Sequence, residues 1–215
     1  MKMIVKVPKT IQFNLLSNAK DSLRQSVELI AMKEIGSDHA RLKHAIIASH
    51  HCIELLLKER LRLINPESIW EIVDKRTVTI NIAISKLKFI GNVKFSRTDE
   101  ENLRSLRKMR NAIEHHEWET SEKEAKIILG HSLSFAIGFA QDELKIDLSS
   151  EFRSDDTWAM LLNELHDFAK VHGARIGARL RGKATCCDEC GELTVPFEGR
   201  SCELCGHWHW QSIKE

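Results

Sequence analysis

The stretch Asp38-His39-Ala40-Arg41-Leu42-Lys43-His44-Ala45-Ile46-Ile47-Ala48-Ser49-His50-His51-Cys52-Ile53-Glu54-Leu55-Leu56-Leu57-Lys58-Glu59-Arg60-Leu61-Arg62-Leu63-Ile64 decides the fold class. Leu42, Ala45, Ile46, Ser49, Ile53, Leu56, Leu57 and Ile64 follow the three- and four-residue spacing that lines one face of an α-helix. Asp38 stands where an N-cap belongs, and Asn65-Pro66 interrupts the pattern, because proline lacks the amide a continuing helix needs. A long helix with one apolar face must bury that face against other helices.

The same period extends in both directions. Upstream, Leu16, Ala19, Leu23, Val27 and Ile30 mark a helix that Gly36 is expected to end. Downstream, Ile80, Ile82, Ala83, Ile84, Leu87 and Ile90 before Gly91 suggest a shorter helix, although the β-branched run from Val78 to Ile84 also suits a strand. Thr98-Asp99-Glu100-Glu101 has capping-box spacing and predicts a helix start there. Leu103, Leu106 and Ile113 form that helix's buried face, Arg104, Arg107, Lys108 and Arg110 make its second half basic, and it should end near His115-His116. Two further helices are expected, from Thr120 to about Lys145 and from about Asp155 to Leu180. The fold class is therefore mainly α: a bundle of five or six helices over residues 1–182, with a small module over residues 183–215. Glycines at 182, 191, 199 and 206 mark the change of texture.

Composition bounds the partners. Of 215 residues, 42% are hydrophobic, and Lys+Arg 32 against Asp+Glu 31 leaves a net charge of +1, so nucleic acid or membrane can be drawn only to a local patch. No segment approaches the ~18 apolar residues of a membrane span, and the start Met1-Lys2-Met3-Ile4-Val5 is too short an apolar run for a secretory signal. A cytoplasmic protein without a membrane partner is expected.

Five of the six cysteines, Cys186, Cys187, Cys190, Cys202 and Cys205, fall in the final module. Cys187-Asp188-Glu189-Cys190-Gly191 and Cys202-Glu203-Leu204-Cys205-Gly206 repeat C-x-x-C-G, a spacing that lets two tight turns bring four thiolates to one tetrahedral ion. Zinc held by Cys187, Cys190, Cys202 and Cys205 fits this pattern, with four thiolates leaving no open catalytic position. Disulfides or a redox C-x-x-C are the alternatives, disfavoured in an intracellular chain. Cys186 can replace Cys187, and His207 or His209 can intrude as ligands. The arrangement resembles the zinc ribbon family over residues 187–205, which implies a small hairpin module that contacts nucleic acid or protein.

Met109-Arg110-Asn111-Ala112-Ile113-Glu114-His115-His116 gathers a fixed cation, an amide and two imidazoles at one helix end. Imidazole exchanges protons near neutrality, and a guanidinium forks onto phosphate oxygens, so the set suits attack of a ribose 2′-hydroxyl on its own phosphodiester without a catalytic metal. Arg110 and His115 lie about 140° apart around a straight helix, whereas Arg110 and Glu114 share a face and can form an ordinary i,i+4 pair.

The run Arg110-Asn111-Ala112-Ile113-Glu114-His115 resembles the R-polar-x-x-x-H motif of the HEPN superfamily, over roughly residues 10–145 and including Cys52-Ile53-Glu54-Leu55-Leu56-Leu57-Lys58. The resemblance implies a helical bundle, a homodimer with two motifs facing one cleft, and metal-independent endoribonuclease activity of toxin or antiphage-defence type, with an antitoxin or defence protein as possible partner. It makes Arg110 and His115 the catalytic pair and places Asn111, His116 and Arg107 on the RNA; if His116 carries the proton, the match shifts by one. A non-catalytic module that binds nucleotide, RNA or protein is the competing expectation, and a regulatory subunit occupying a partner's site is a third.

Among the remaining candidates, His44, His50 and His51 read as solvated or core-edge groups, and Cys52 as a buried, inert thiol. Trp70, Trp118 and Trp158 read as packing residues. Trp208 and Trp210, bracketing His209, suit stacking on bases or hydrophobic docking. Arg175, Arg179, Arg181 and Lys183 suit either a phosphate track or a solvated helix end.

Overall fold

The computed structural model describes residues 12–31, 38–153 and 156–210. Their helices are α1 (Leu15–Ala31), α2 (Asp38–Ile64), α3 (Ile80–Ile90), α4 (Arg97–His115), α5 (Glu122–Phe139), α6 (Asp156–Glu164) and α7 (His166–Arg179). The strands pair as two antiparallel hairpins, β1 (Trp70–Ile72) with β2 (Arg76–Thr77), and β3 (Ala184–Cys186) with β4 (Leu193–Pro196). The mainly helical class expected from periodicity holds. None of the described helices is long and apolar enough to cross a membrane.

The helix α2 occupies the centre, packed against α1, α3, α4 and α5. Its Ile46, Ile53, Leu56, Leu57 and Leu61 are fully buried, as its apolar spacing requires. Against it lies α5, whose residues from Leu129 to Phe139 are buried all round except His131. A helix without a wet face belongs inside a bundle, and α5 is sandwiched between α2, α4 and α7. Gly130 permits that closeness: a Cβ there would stand 2.9 Å from the backbone nitrogen of Phe168 on α7.

Several boundaries differ from those expected. The α4 helix begins two residues early, with Ser96 as N-cap accepting from the Asp99 amide at 3.0 Å. Asp99 is buried and paired with Arg175 of α7, so the frame that turns Asp99 inward makes Ser96 the cap rather than Thr98. Asp38 is the first helical residue of α2 rather than its cap, and Gly36, the expected end of α1, lies outside the described residues. Residues 80–90 are helical, which closes the strand alternative. The single helix expected over 155–180 is two: Leu165 (φ −118°, ψ 76°) leaves the helical region between α6 and α7. This corner lets Trp158 and Leu161 of α6 and Phe168, His172 and Ile176 of α7 all face inward.

The cysteine-bearing segment continues the same core. Cys187, Val195, Cys202 and Leu204 join the hydrophobic cluster of the helices. The Trp158 indole donates to the Leu204 carbonyl at 2.6 Å. Gly177 of α7 leaves room for the Leu193 carbonyl, which an added Cβ would meet at 2.9 Å.

Candidate functional site

The basic second half of α4 ends at His115, with His116 as C-cap. Its buried face, Leu103, Leu106 and Met109, anchors the helix and leaves Arg110, Asn111, Glu114, His115 and His116 towards solvent. One oxygen organises them: Glu114 Oε2 lies 2.7 Å from Arg110 Nη2 and 3.8 Å from His115 Nε2. The i,i+4 pair expected as the alternative reading is present. The same oxygen stands 3.8 Å from the neighbouring His115 Nε2, beyond hydrogen-bond distance, so the guanidinium and the imidazole flank one carboxylate within a single chain. Arg110 Nη1 donates to Asn111 Oδ1 at 3.2 Å, which orients the guanidinium further.

Behind this group, α2 presents His50 and Glu54. His50 is buried, and that burial pushes its pKa down to about 4; Glu54 opposes the shift, whereas Arg110, His51 and Arg107 add to it. Arg107 and Arg110 therefore act on a neutral imidazole across the α2/α4 contact. Glu54 is paired with Lys58, which also donates to Thr77 Oγ1 at 2.8 Å. His51 points outward, its Nδ1 3.0 Å from Ser22 Oγ, and His44 is exposed. Cys52 is fully buried, and desolvation raises its thiol to about 12, as an inert core cysteine requires.

In the C-terminal segment, two turns are closed by backbone bonds from Gly191 to Cys187 O at 2.8 Å and from Gly206 to Cys202 O at 2.9 Å. Gly191 (φ 73°) and Gly206 (φ 78°) adopt the left-handed conformation such a turn needs. Together they gather the sulfurs of Cys187, Cys190, Cys202 and Cys205 within 4.8 Å of one another. Cys187 and Cys205 are 3.6 Å apart and Cys190 and Cys202 3.7 Å. Four thiolates about 2.3 Å from a tetrahedral ion stand about 3.8 Å apart, so the cluster can hold a metal ion. Burial raises Cys190 to about 11 and Cys205 higher still. For Cys202 the burial penalty is outweighed by the Cys205 amide and the Thr194 hydroxyl, which lower it. A bound cation would favour the thiolate at every position.

No protein-family model, curated protein or solved structure matches this chain.

Cys186 is exposed on β3 and outside the group of four, so Cys187 takes the first position. The histidines do not enter it: His209 is buried with Nδ1 3.5 Å from Asp188, and His207 packs edge-on against it at 5.0 Å. Trp208 and Trp210 are exposed, Trp210 at 86%. Trp158 is buried, whereas Trp70 and Trp118 are half-buried. Arg175 departs from the proposed phosphate track, because it binds Asp99 of α4 and Ser134 Oγ of α5. Glu114, expected as the i,i+4 partner of Arg110, also lies beside His115. Its spacing to Arg110 is visible in the sequence, but its reach to a histidine on its other side depends on side-chain length.

Proposed function

We propose that this chain is a metal-independent endoribonuclease of the kind its HEPN resemblance implies, acting as a homodimer. The observation carrying this reading is that Arg110 and His115 flank Glu114 Oε2. A guanidinium and an imidazole flanking one carboxylate oxygen are equally placed for a phosphodiester oxygen that displaces it. Arg110 then neutralises charge on phosphorus, and Asn111, Arg107 and His116 hold the strand. His115 serves in proton transfer as the 2′-oxygen bonds to phosphorus and the P–O5′ bond breaks. The products are a 2′,3′-cyclic phosphate and a 5′-hydroxyl. Zinc on Cys187, Cys190, Cys202 and Cys205 is structural in this proposal, because four protein sulfurs complete its shell. A toxin or defence role, with an antitoxin or defence protein as partner in the cytoplasm, belongs to the same reading.

The 2.7 Å Arg110–Glu114 pair favours a second reading, a binding module whose cation is already partly neutralised. One experiment separates the two. Purified full-length protein is incubated with single-stranded RNA, without added divalent ions and with chelator, while circular dichroism monitors the fold. Cleavage that persists and disappears in His115→Ala and Arg110→Ala supports the nuclease. Equal cleavage by wild type and His115→Ala refutes the assignment. Intact RNA with saturable, salt-dependent binding selects the binding module.

A further inference from the structure

A cavity of about 290 Å³ lies away from the α4 site, where the end of α5, the loop after it, α7 and the second cysteine turn meet. Its lining includes Gln141, Ser149, Arg153, His172, Arg179 and Glu203. Nothing in the proposed nuclease chemistry uses these residues.

Two features give the cavity the character of a built site. The first is His172, 1% exposed, whose Nδ1 is buried without a hydrogen-bond partner. The ring is fixed by stacking on Phe168 at 5.2 Å and by the edge of Trp158 at 6.3 Å, so it cannot turn freely to find one. A buried polar nitrogen left unpaired is costly, and such groups normally meet a partner. Burial, with Arg179, Arg175 and Arg153 nearby, lowers this imidazole to about 3, so it is neutral and available for hydrogen bonding.

The second feature is the cations. The exposed side chain of Arg179 makes no hydrogen bond or ion pair with the described residues. Arg153 is held only loosely, 3.7 Å from Asp147 Oδ2. Asp147 Oδ1 is already engaged by the Ser149 amide and hydroxyl and by the Ser150 amide. Arg179, and Arg153 with one long 3.7 Å pair to Asp147, thus share a small cavity with a hydroxyl, an amide, a fixed imidazole and the carboxylates of Asp147 and Glu203. Guanidinium forks match the oxygens of a phosphate group, and Glu203 supplies an acceptor for a hydroxyl or amine elsewhere on the ligand. The volume stands at the lower end for small-molecule pockets, about 300 Å³, which suits a molecule no larger than a nucleoside monophosphate.

We propose that this cavity binds a small phosphomonoester, its phosphate held by Arg153 and Arg179 and its body set against His172 and Glu203. The site is independent of the α4 proposal, since the two share no residue.

The test is calorimetric titration of full-length, zinc-loaded protein with adenosine monophosphate and, separately, inorganic phosphate, at fixed ionic strength. Saturable binding near one ligand per chain, tighter for adenosine monophosphate, is expected. Arg179→Gln changes an exposed side chain, so the fold survives, and it should weaken binding at least tenfold. His172→Phe keeps the aromatic stack and should weaken binding while the helical circular dichroism is unchanged. Arg104→Gln, on the exposed face of α4, should bind as wild type does. No binding of either probe at millimolar concentration overturns the proposal. So does unchanged affinity in Arg179→Gln, or equal weakening in Arg104→Gln, which would mark diffuse charge attraction.

Discussion

An imidazole sealed among hydrocarbon resists protonation, because the charged form must surrender its water. His50 titrates near 4 in the folded chain, whereas in an unfolded chain it titrates near 6.5. The unfolded state therefore takes up the proton first, so stability is complete above pH 6.5 and falls as the pH drops towards 4. At pH 5 the loss from His50 is about 2 kcal/mol. His172, held to about 3 by its burial, pushes in the same direction. Melting temperature measured from pH 7.5 to 5 should decline, and His50→Gln should flatten part of that decline; an unchanged slope in the variant would show that His50 is not the sealed group. Glu114 poses the second question at this scale. If its carboxylate competes with phosphate for Arg110 and His115, Glu114→Gln should tighten RNA binding roughly two- to five-fold, the worth of one exposed ion pair. Fluorescence anisotropy at fixed salt reads this directly, and weaker binding would mean that Glu114 orients the bases rather than blocking them. The i,i+4 pair of Arg110 with Glu114 was legible from spacing alone, and the helix wheel places His115 about 140° from Arg110. What angles around the helix leave out is reach: the long guanidinium stem brings Arg110 to 2.7 Å from Glu114 Oε2, whereas the imidazole stops at 3.8 Å.

Helices were legible wherever an apolar period persisted, as in α1 and α2, because burial of one face is what holds such a segment helical, whereas the β-branched start of α3 left a strand open. Their ends were less so. Ser96 and Thr98 each precede an acid by three residues, and local sequence cannot choose between them. The choice falls to Arg175, nearly eighty residues away in the chain, which binds Asp99 and thereby sets which way it faces. The corner at Leu165 has neither proline nor glycine, so no local signal announced it, and it follows from Trp158 and Phe168 both needing the interior. Packing between elements gives a paired test. An alanine methyl at Gly130 meets the Phe168 backbone nitrogen at 2.9 Å, and backbone cannot yield without moving α7. At Gly138 the nearest atom is the Arg175 Cδ at 3.3 Å, on a side chain that can adjust. Gly130→Ala should cost about 1–3 kcal/mol, the range of overpacked cores, and Gly138→Ala less than about 1 kcal/mol. Urea unfolding of both variants checks the order, and equal costs would mean that α5 and α7 separate easily.

At the scale of the whole molecule, the four-cysteine cluster and the bundle are mechanically continuous. C-x-x-C-G twice over made the four-cysteine cluster plain, since all four sulfurs belong to two short repeats. The seam that joins it to the helices was hidden, because Gly173, Gly177 and Trp158 look unremarkable until Glu192, Leu193 and Leu204 are placed against them. This continuity predicts how loss of metal should spread. A short segment with little core of its own would depend on an ion held by Cys187, Cys190, Cys202 and Cys205, so with the cluster loaded, chelation should unlock both cysteine turns. The Leu204 carbonyl would then leave the Trp158 indole, and the seam along α7 would lose its cover. Hydrogen exchange before and after chelation should show protection falling across residues 184–210 and, to a smaller degree, along α6 and α7. The amides of α2 and α3 have no contact with the cluster through this seam and should keep theirs. Cys202→Ser should reproduce the pattern without chelator, whereas loss confined to residues 184–210 would mean that the cluster rests on the bundle without supporting it.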